Sequence, residues 1–98
     1  MRRLNPDDLP LPVLETSYKL GRLVAAARKS NKLSQKQLCE RAGLGRTTLV
    51  EIEHGSPRVQ FAYWALALDA LGLLANLDAL LSASDMDRLA KSVSLSRT

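Results

Sequence analysis

The chain has 98 residues, 46% of them hydrophobic, with 14 Lys and Arg against 10 Asp and Glu for a formal net charge of +4. That is enough for one small domain with a core, and it excludes both a two-domain protein and a wholly disordered chain. One Cys (Cys39) and one His (His54) exclude a disulfide framework and most metal or acid–base constellations.

Residues 1–15 carry Pro6, Pro10 and Pro12 among Leu4, Leu9, Leu11, Val13 and Leu14. That density of proline predicts an extended, Pro-rich arm. From Thr16 to Asn31 proline is absent and Leu20, Leu23, Val24 and Ala27 recur at helical spacing. Ser34 with Gln37 fits the S-x-x-Q capping box and opens a second helix. Gly43 ends it, because glycine tolerates the left-handed turn that follows a helix. A third helix is predicted from Arg46 to His54, with Leu49 and Ile52 inward and Gly55 closing it. A fourth runs from about Phe61 to Leu71, its inner stripe being Phe61, Trp64, Leu68 and Leu71. Leu74 to Leu81 makes a short fifth. The tail, residues 82–98, has room for one more short helix, with Ser84 and Asp87 as cap and Met86, Leu89, Ala90 and Val93 on one face. No strand-type alternation or internal repeat is present. The sequence therefore predicts an all-α protein: an arm (1–15), a five-helix domain (16–81) and a tail (82–98).

The charge is uneven. Residues 16–58 hold nine bases against three acids, a net of +6, whereas residues 59–81 hold only Asp69 and Asp78. Such a basic half fits a polyanion-facing surface or, equally, a solvated helix face. No apolar run approaches the roughly 18 residues of a membrane span. Asn5-Pro6-Asp7-Asp8 follows the opening Met1-Arg2-Arg3 in place of an apolar signal segment, so a cytoplasmic protein with no membrane association is expected. No Ser/His/Asp set, pocketed carboxylate pair, phosphate-binding glycine loop or metal cluster is evident, so neither an enzyme nor a cofactor is expected.

The informative segment is Ser34–Gly55. Two short helices joined by about three residues cross steeply. A small residue, Cys39 or Ala42, suits their closest approach, and Leu38, Leu44, Leu49 and Ile52 fill the angle between them. The outer face of the third helix is then free. It begins with Arg46 and Thr47 and continues one turn later with Val50 and Glu51. A helix fits the DNA major groove, where its N-terminal residues reach base edges.

The stretch Leu20–Leu81 resembles the lambda-repressor-like, Cro/Xre-type helix-turn-helix family. The matching residues are Leu20-Gly21, Arg28, Leu33-Ser34-Gln35, Leu38-Cys39, Ala42-Gly43-Leu44, Thr48-Leu49, Ile52-Glu53, Gly55 and Ala70-Leu71-Gly72. The span Val59–Leu81 is closer to HipB-like antitoxins. The resemblance implies that Gln35 binds a phosphate and braces the recognition helix, and that Arg46, Thr47 and Glu51 read bases. It further implies that Arg28 and Glu53 form a partly buried ion pair between the first and third helices. Gly45 departs from the family's frequent capping Ser, Cys39 from its usual Ala and Gln60 from its usual Ser.

Each assignment has alternatives. Arg46 suits guanine O6 and N7, or a phosphate. Thr47 suits a phosphate, a thymine methyl or a helix cap. Val50 suits a thymine methyl or plain packing. Glu51 suits a cytosine amine, or weakens binding by its charge. Lys32, Lys36 and Arg58 flank the groove and suit phosphates. Trp64, Leu68, Leu71, Leu74 and Leu77 belong to an apolar stripe that is expected either to meet a second copy across a dimer seam or to thicken a monomer's core. A two-fold dimer reads a palindromic operator in double-stranded DNA. The functional expectation is a sequence-specific repressor serving as antitoxin to a HipA-type kinase toxin and regulating its own operon. The alternative is a stand-alone Xre-family regulator.

Overall fold

The computed structural model describes residues 5–93, and every regular element among them is helical. A single 3-10 turn, Pro6–Asp8, leads to α1 (Leu11–Ser30), α2 (Gln35–Ala42), α3 (Arg46–Glu53), α4 (Phe61–Ala70), α5 (Leu74–Ala79) and α6 (Ala83–Ser92).

The extended arm expected over residues 1–15 is not what forms: α1 begins at Leu11. Pro10 is its N-cap and Pro12 lies in its first turn. The first backbone N–H groups of a helix have no partner within it, so proline there forfeits no hydrogen bond. Ahead of α1, the Asn5 side chain accepts the Asp7 N–H and caps the 3-10 turn. Residues 1–4 of the expected arm lie outside the described residues.

The capping box of α2 is reciprocal. Ser34 Oγ accepts the Gln37 N–H at 3.0 Å, and Gln37 Oε1 accepts the Ser34 N–H at 2.8 Å. Gly43 follows with φ +71°, in the left-handed region. The chain reverses, Leu44 tucks into the core, and α3 starts after Gly45 with no side-chain cap.

α1 packs on α3, α2 packs on α3 and α4, and α4 packs on α5. Val24, Leu38, Leu49 and Ile52 are fully buried where the first three helices meet. Trp64, Ala67 and Leu68 of α4 close the core from the other side. Two glycines bring α1 close to the end of α3. A Cβ on Gly21 would collide with the Ile52 carbonyl and lie 2.7 Å from the Gly55 nitrogen, and one on Gly55 would lie 3.0 Å from the Ser17 carbonyl oxygen. The Ser17 hydroxyl locks this contact by donating to the Gly55 carbonyl at 2.6 Å.

Three further details depart from the sequence expectation. Phe61, placed on the inner stripe of α4, is 71% exposed. It is the first residue of that helix, and helical side chains lean toward the N-terminus, here past the edge of the core. Trp64 and Leu68, assigned to a dimer seam, are buried in the chain's own core, while Leu71, Leu74 and Leu77 remain half-buried. Finally, α6 is capped by Ser82, which accepts the Asp85 N–H, rather than by Ser84. Both serines have an Asp three residues on, and use of the earlier pair lengthens the helix by two residues. No residue of α6 is buried, and the helix takes part in none of the packings above.

Candidate nucleic-acid interface

α3 has a buried side and an exposed side, with Thr48 and Glu53 half-buried between them. Leu49 and Ile52 are fully buried, and they hold the helix against α1, α2 and α4. On the opposite side Arg46, Thr47 and Glu51 are exposed and Val50 is half-buried. Arg46 opens the helix, so its side chain projects from the end that carries free N–H groups and a partial positive charge.

Behind this face lies a chain of polar contacts linking three helices. Arg28 of α1 donates from Nε to Glu53 Oε2 at 2.7 Å and from Nη2 to Oε1 at 3.1 Å. Its third donor, Nη1, reaches the Leu33 carbonyl at 2.9 Å and ties the α1–α2 connection to the same point. The two side chains are only 11% and 8% exposed. Hydrogen bonding to Glu53, against the opposing cost of burial, raises the Arg28 guanidinium above its already high ordinary pKa, so the guanidinium keeps its charge. Glu53 Oε1 also accepts from Gln35 Nε2 at 3.2 Å. Gln35, the first residue of α2, accepts in turn from Arg46 Nε at 2.9 Å. The structure thus brings Arg28, Glu53, Gln35 and Arg46 into one network, which runs from the interior to the exposed start of α3.

Lys36, Lys32 and Arg58 are all exposed. Lys36 stands beside Gln35 at the start of α2. Lys32 occupies the turn after α1 with φ +58°. Arg58 lies in the loop after α3, where its N–H donates to Ser56 Oγ at 3.3 Å. Cys39 is buried, and burial pushes its thiol pKa up, which keeps it in the unreactive protonated form.

Three contacts were missed by reading the sequence: the Ser17–Gly55 bond, the capture of the Leu33 carbonyl by Arg28, and the Gln35–Glu53 bond. Gly21 was a usable signal for the first. A glycine inside a helix costs about 1 kcal/mol relative to Ala, so its presence at Gly21 points to a close backbone approach. The other two depend on side-chain rotamers across separate helices and leave no periodic trace.

A family model described as a helix-turn-helix domain matches residues 19–81, from within α1 to just past α5. No curated protein and no solved structure gives a significant match. Among the described residues, no helix is long and apolar enough to cross a membrane.

Proposed function

The chain belongs to the helix-turn-helix domain family, and from that premise we propose that it is a cytoplasmic, sequence-specific transcriptional repressor that lays α3 in the major groove of double-stranded DNA. The observation that carries this reading is the outward start of α3. Arg46, Thr47 and Glu51 are exposed on one short helix that is anchored in the core by the fully buried Leu49 and Ile52, so the helix projects as a rigid reader. In this reading Arg46 takes guanine O6 and N7, Val50 meets a thymine methyl, and Thr47 and Glu51 contact neighbouring bases. Gln35, Lys36, Lys32 and Arg58 hold phosphates on either side. The DNA-binding unit is residues 16–81.

The test is selection of duplexes from a randomised pool, followed by comparison of the enriched and random duplexes with Arg46→Ala. The variant is expected to lose about 1–3 kcal/mol on the enriched duplex and to relax preference at one base pair. Equal loss on both duplexes contradicts base reading.

The repressor acts as a homodimer on a palindromic operator. An apolar groove of about 480 Å³ between α1, α4 and α5 supports this: Leu20, Leu23, Phe61, Leu77 and Leu80 line it, and Trp64 and Leu68 form part of its wall. Leu71 and Leu74 lie alongside, half-buried. Apolar surface of this kind is a common site of self-association.

The finer reading is a HipB-like antitoxin that neutralises a HipA-type kinase toxin and represses its own operon. It draws on the likeness of Val59–Leu81 to such antitoxins. It draws also on α6, an amphipathic helix whose Met86 and Leu89, with Val93 just beyond its end, are about half exposed or more. A stand-alone regulator is the alternative. A kinase-like gene beside this one, and its product recovered with the chain from the native host, decide for the antitoxin.

A further inference from the structure

The Gln35 side chain sits between two charged groups, and their chemistry leaves it one orientation. Glu53 is a carboxylate and only accepts hydrogen bonds, whereas Arg46 is a guanidinium and only donates them. Gln35 therefore has to turn its NH2 toward Glu53 and its oxygen toward Arg46, as the contacts of 3.2 Å and 2.9 Å show. Flipping the amide would set oxygen against oxygen on one side and N–H against N–H on the other, losing both bonds. Glu53 cannot itself move to relieve this, because Arg28 clamps it in a two-point pair that is about nine-tenths buried.

We infer that Glu53 is a positioning residue for DNA reading: by fixing the polarity of the Gln35 amide it holds Arg46 by its Nε and aims the two remaining guanidinium nitrogens outward. Arg28 takes part only by holding Glu53. The inference rests on Arg46 reading a base, as proposed above. Its consequence is that an interior ion pair sets base discrimination and not stability alone. A long side chain held before binding loses less conformational freedom on docking. Gln35 retains one N–H for a phosphate, so a single residue can serve both the reading side chain and the backbone.

The experiment compares the wild-type chain with Glu53→Gln and Gln35→Met, each alone, and with Arg46→Ala and the double variant Gln35→Met/Arg46→Ala. Gln35→Met leaves the Arg28–Glu53 pair intact and removes the link together with the Gln35 phosphate contact, whose loss weakens both duplexes alike and leaves discrimination between them to report on the link. If Glu53→Gln does not fold, Glu53→Asp replaces it, keeping a carboxylate opposite Arg28 while withdrawing it from Gln35. The first readout is the NMR signal of Arg46 Nε–H in the free protein. It is expected to be slow-exchanging and distinct in the wild type, and to move to the position of a free arginine in the Glu53 and Gln35 variants. The second is discrimination between the duplex enriched from a randomised pool and the same duplex changed at the base pair that Arg46→Ala relaxes. Each variant is expected to lose about fivefold or more, with no further loss when Gln35→Met is added to Arg46→Ala. An unchanged Arg46 signal in folded variants, or a Gln35→Met loss that persists without Arg46, overturns the inference. If the Arg46 signal behaves as expected but Arg46→Ala leaves discrimination intact, the relay stands and the base-reading assignment falls.

Discussion

In the proposed reading Arg46 has two duties that compete: its side chain must reach outward to a base, yet it must not sample every rotamer while free. The Gln35 bond at 2.9 Å meets the second demand without using the terminal nitrogens needed for the first. Arg46→Lys separates charge from geometry, since lysine keeps the charge but has neither Nε–H nor a planar fork. Binding to random duplex should be nearly unchanged while preference for the selected duplex falls, as measured by competition at fixed salt. Arg28 and Glu53 carry a different kind of load. Removing one member leaves a buried charge without its partner, so Glu53→Ala should cost roughly 3–5 kcal/mol in urea unfolding. Gly21 answers to packing alone. Gly21→Ala drives a methyl into the Ile52 carbonyl and should lower stability by about 1–3 kcal/mol, despite the better helix propensity of alanine. Nothing in the sequence ranks these three sites in this order. Arg46 and Gln35 are 11 residues apart, Arg28 and Glu53 25, and Ser17 and Gly55, beside Gly21, 38, and only the folded chain brings each pair together.

At the scale of elements, the parts fixed by local chemistry were legible and the parts fixed by context were not. The capping box at Ser34, the turn at Gly43 and the inward pair Leu49 and Ile52 follow from residue type and spacing within one or two turns. The start of α1 does not. Pro10 and Pro12 read as breakers until they are placed at the beginning of a helix, where proline is compatible. The exposure of Phe61 similarly depends on where the core ends, which periodicity leaves open. The α6 helix is held by local polar contacts: Ser82 caps it, and Arg88 and Lys91 pair with Asp85 and Asp87. Bonding to Arg88 first, and then to Ser82, lowers the Asp85 pKa below its ordinary value of 3.8. A depressed carboxyl stabilises the folded form above its unfolded pKa, and that contribution is lost as pH falls through the folded value. Acidification should therefore fray α6 while the core of α1–α4 stays intact, and residue-resolved NMR in an acid titration checks this. Loss of the core signals first would contradict it.

The whole molecule has two unlike halves. The basic stretch 16–58 carries the exposed side of α3, and the apolar, mildly acidic stretch 59–81 supplies most of the lining of the groove, which Leu20 and Leu23 of α1 complete. One half suits a polyanion and the other suits protein. If the groove is a seam, sedimentation at micromolar concentration should report a dimer, and Leu77→Glu at the groove wall should return a folded monomer with weaker binding to a two-half-site duplex. If Lys36 meets a phosphate, Lys36→Ala should reduce the salt slope of log affinity by about 0.9 without changing base preference.

The most direct test of the outward α3 is residue-resolved NMR of the labelled chain titrated with the duplex it selects from a randomised pool. The account predicts that the largest perturbations fall on Arg46, Thr47, Val50, Glu51 and the side chain of Gln35, with α6 unaffected. Perturbations confined to α4–α6, with the exposed face of α3 unmoved at saturation, would contradict it.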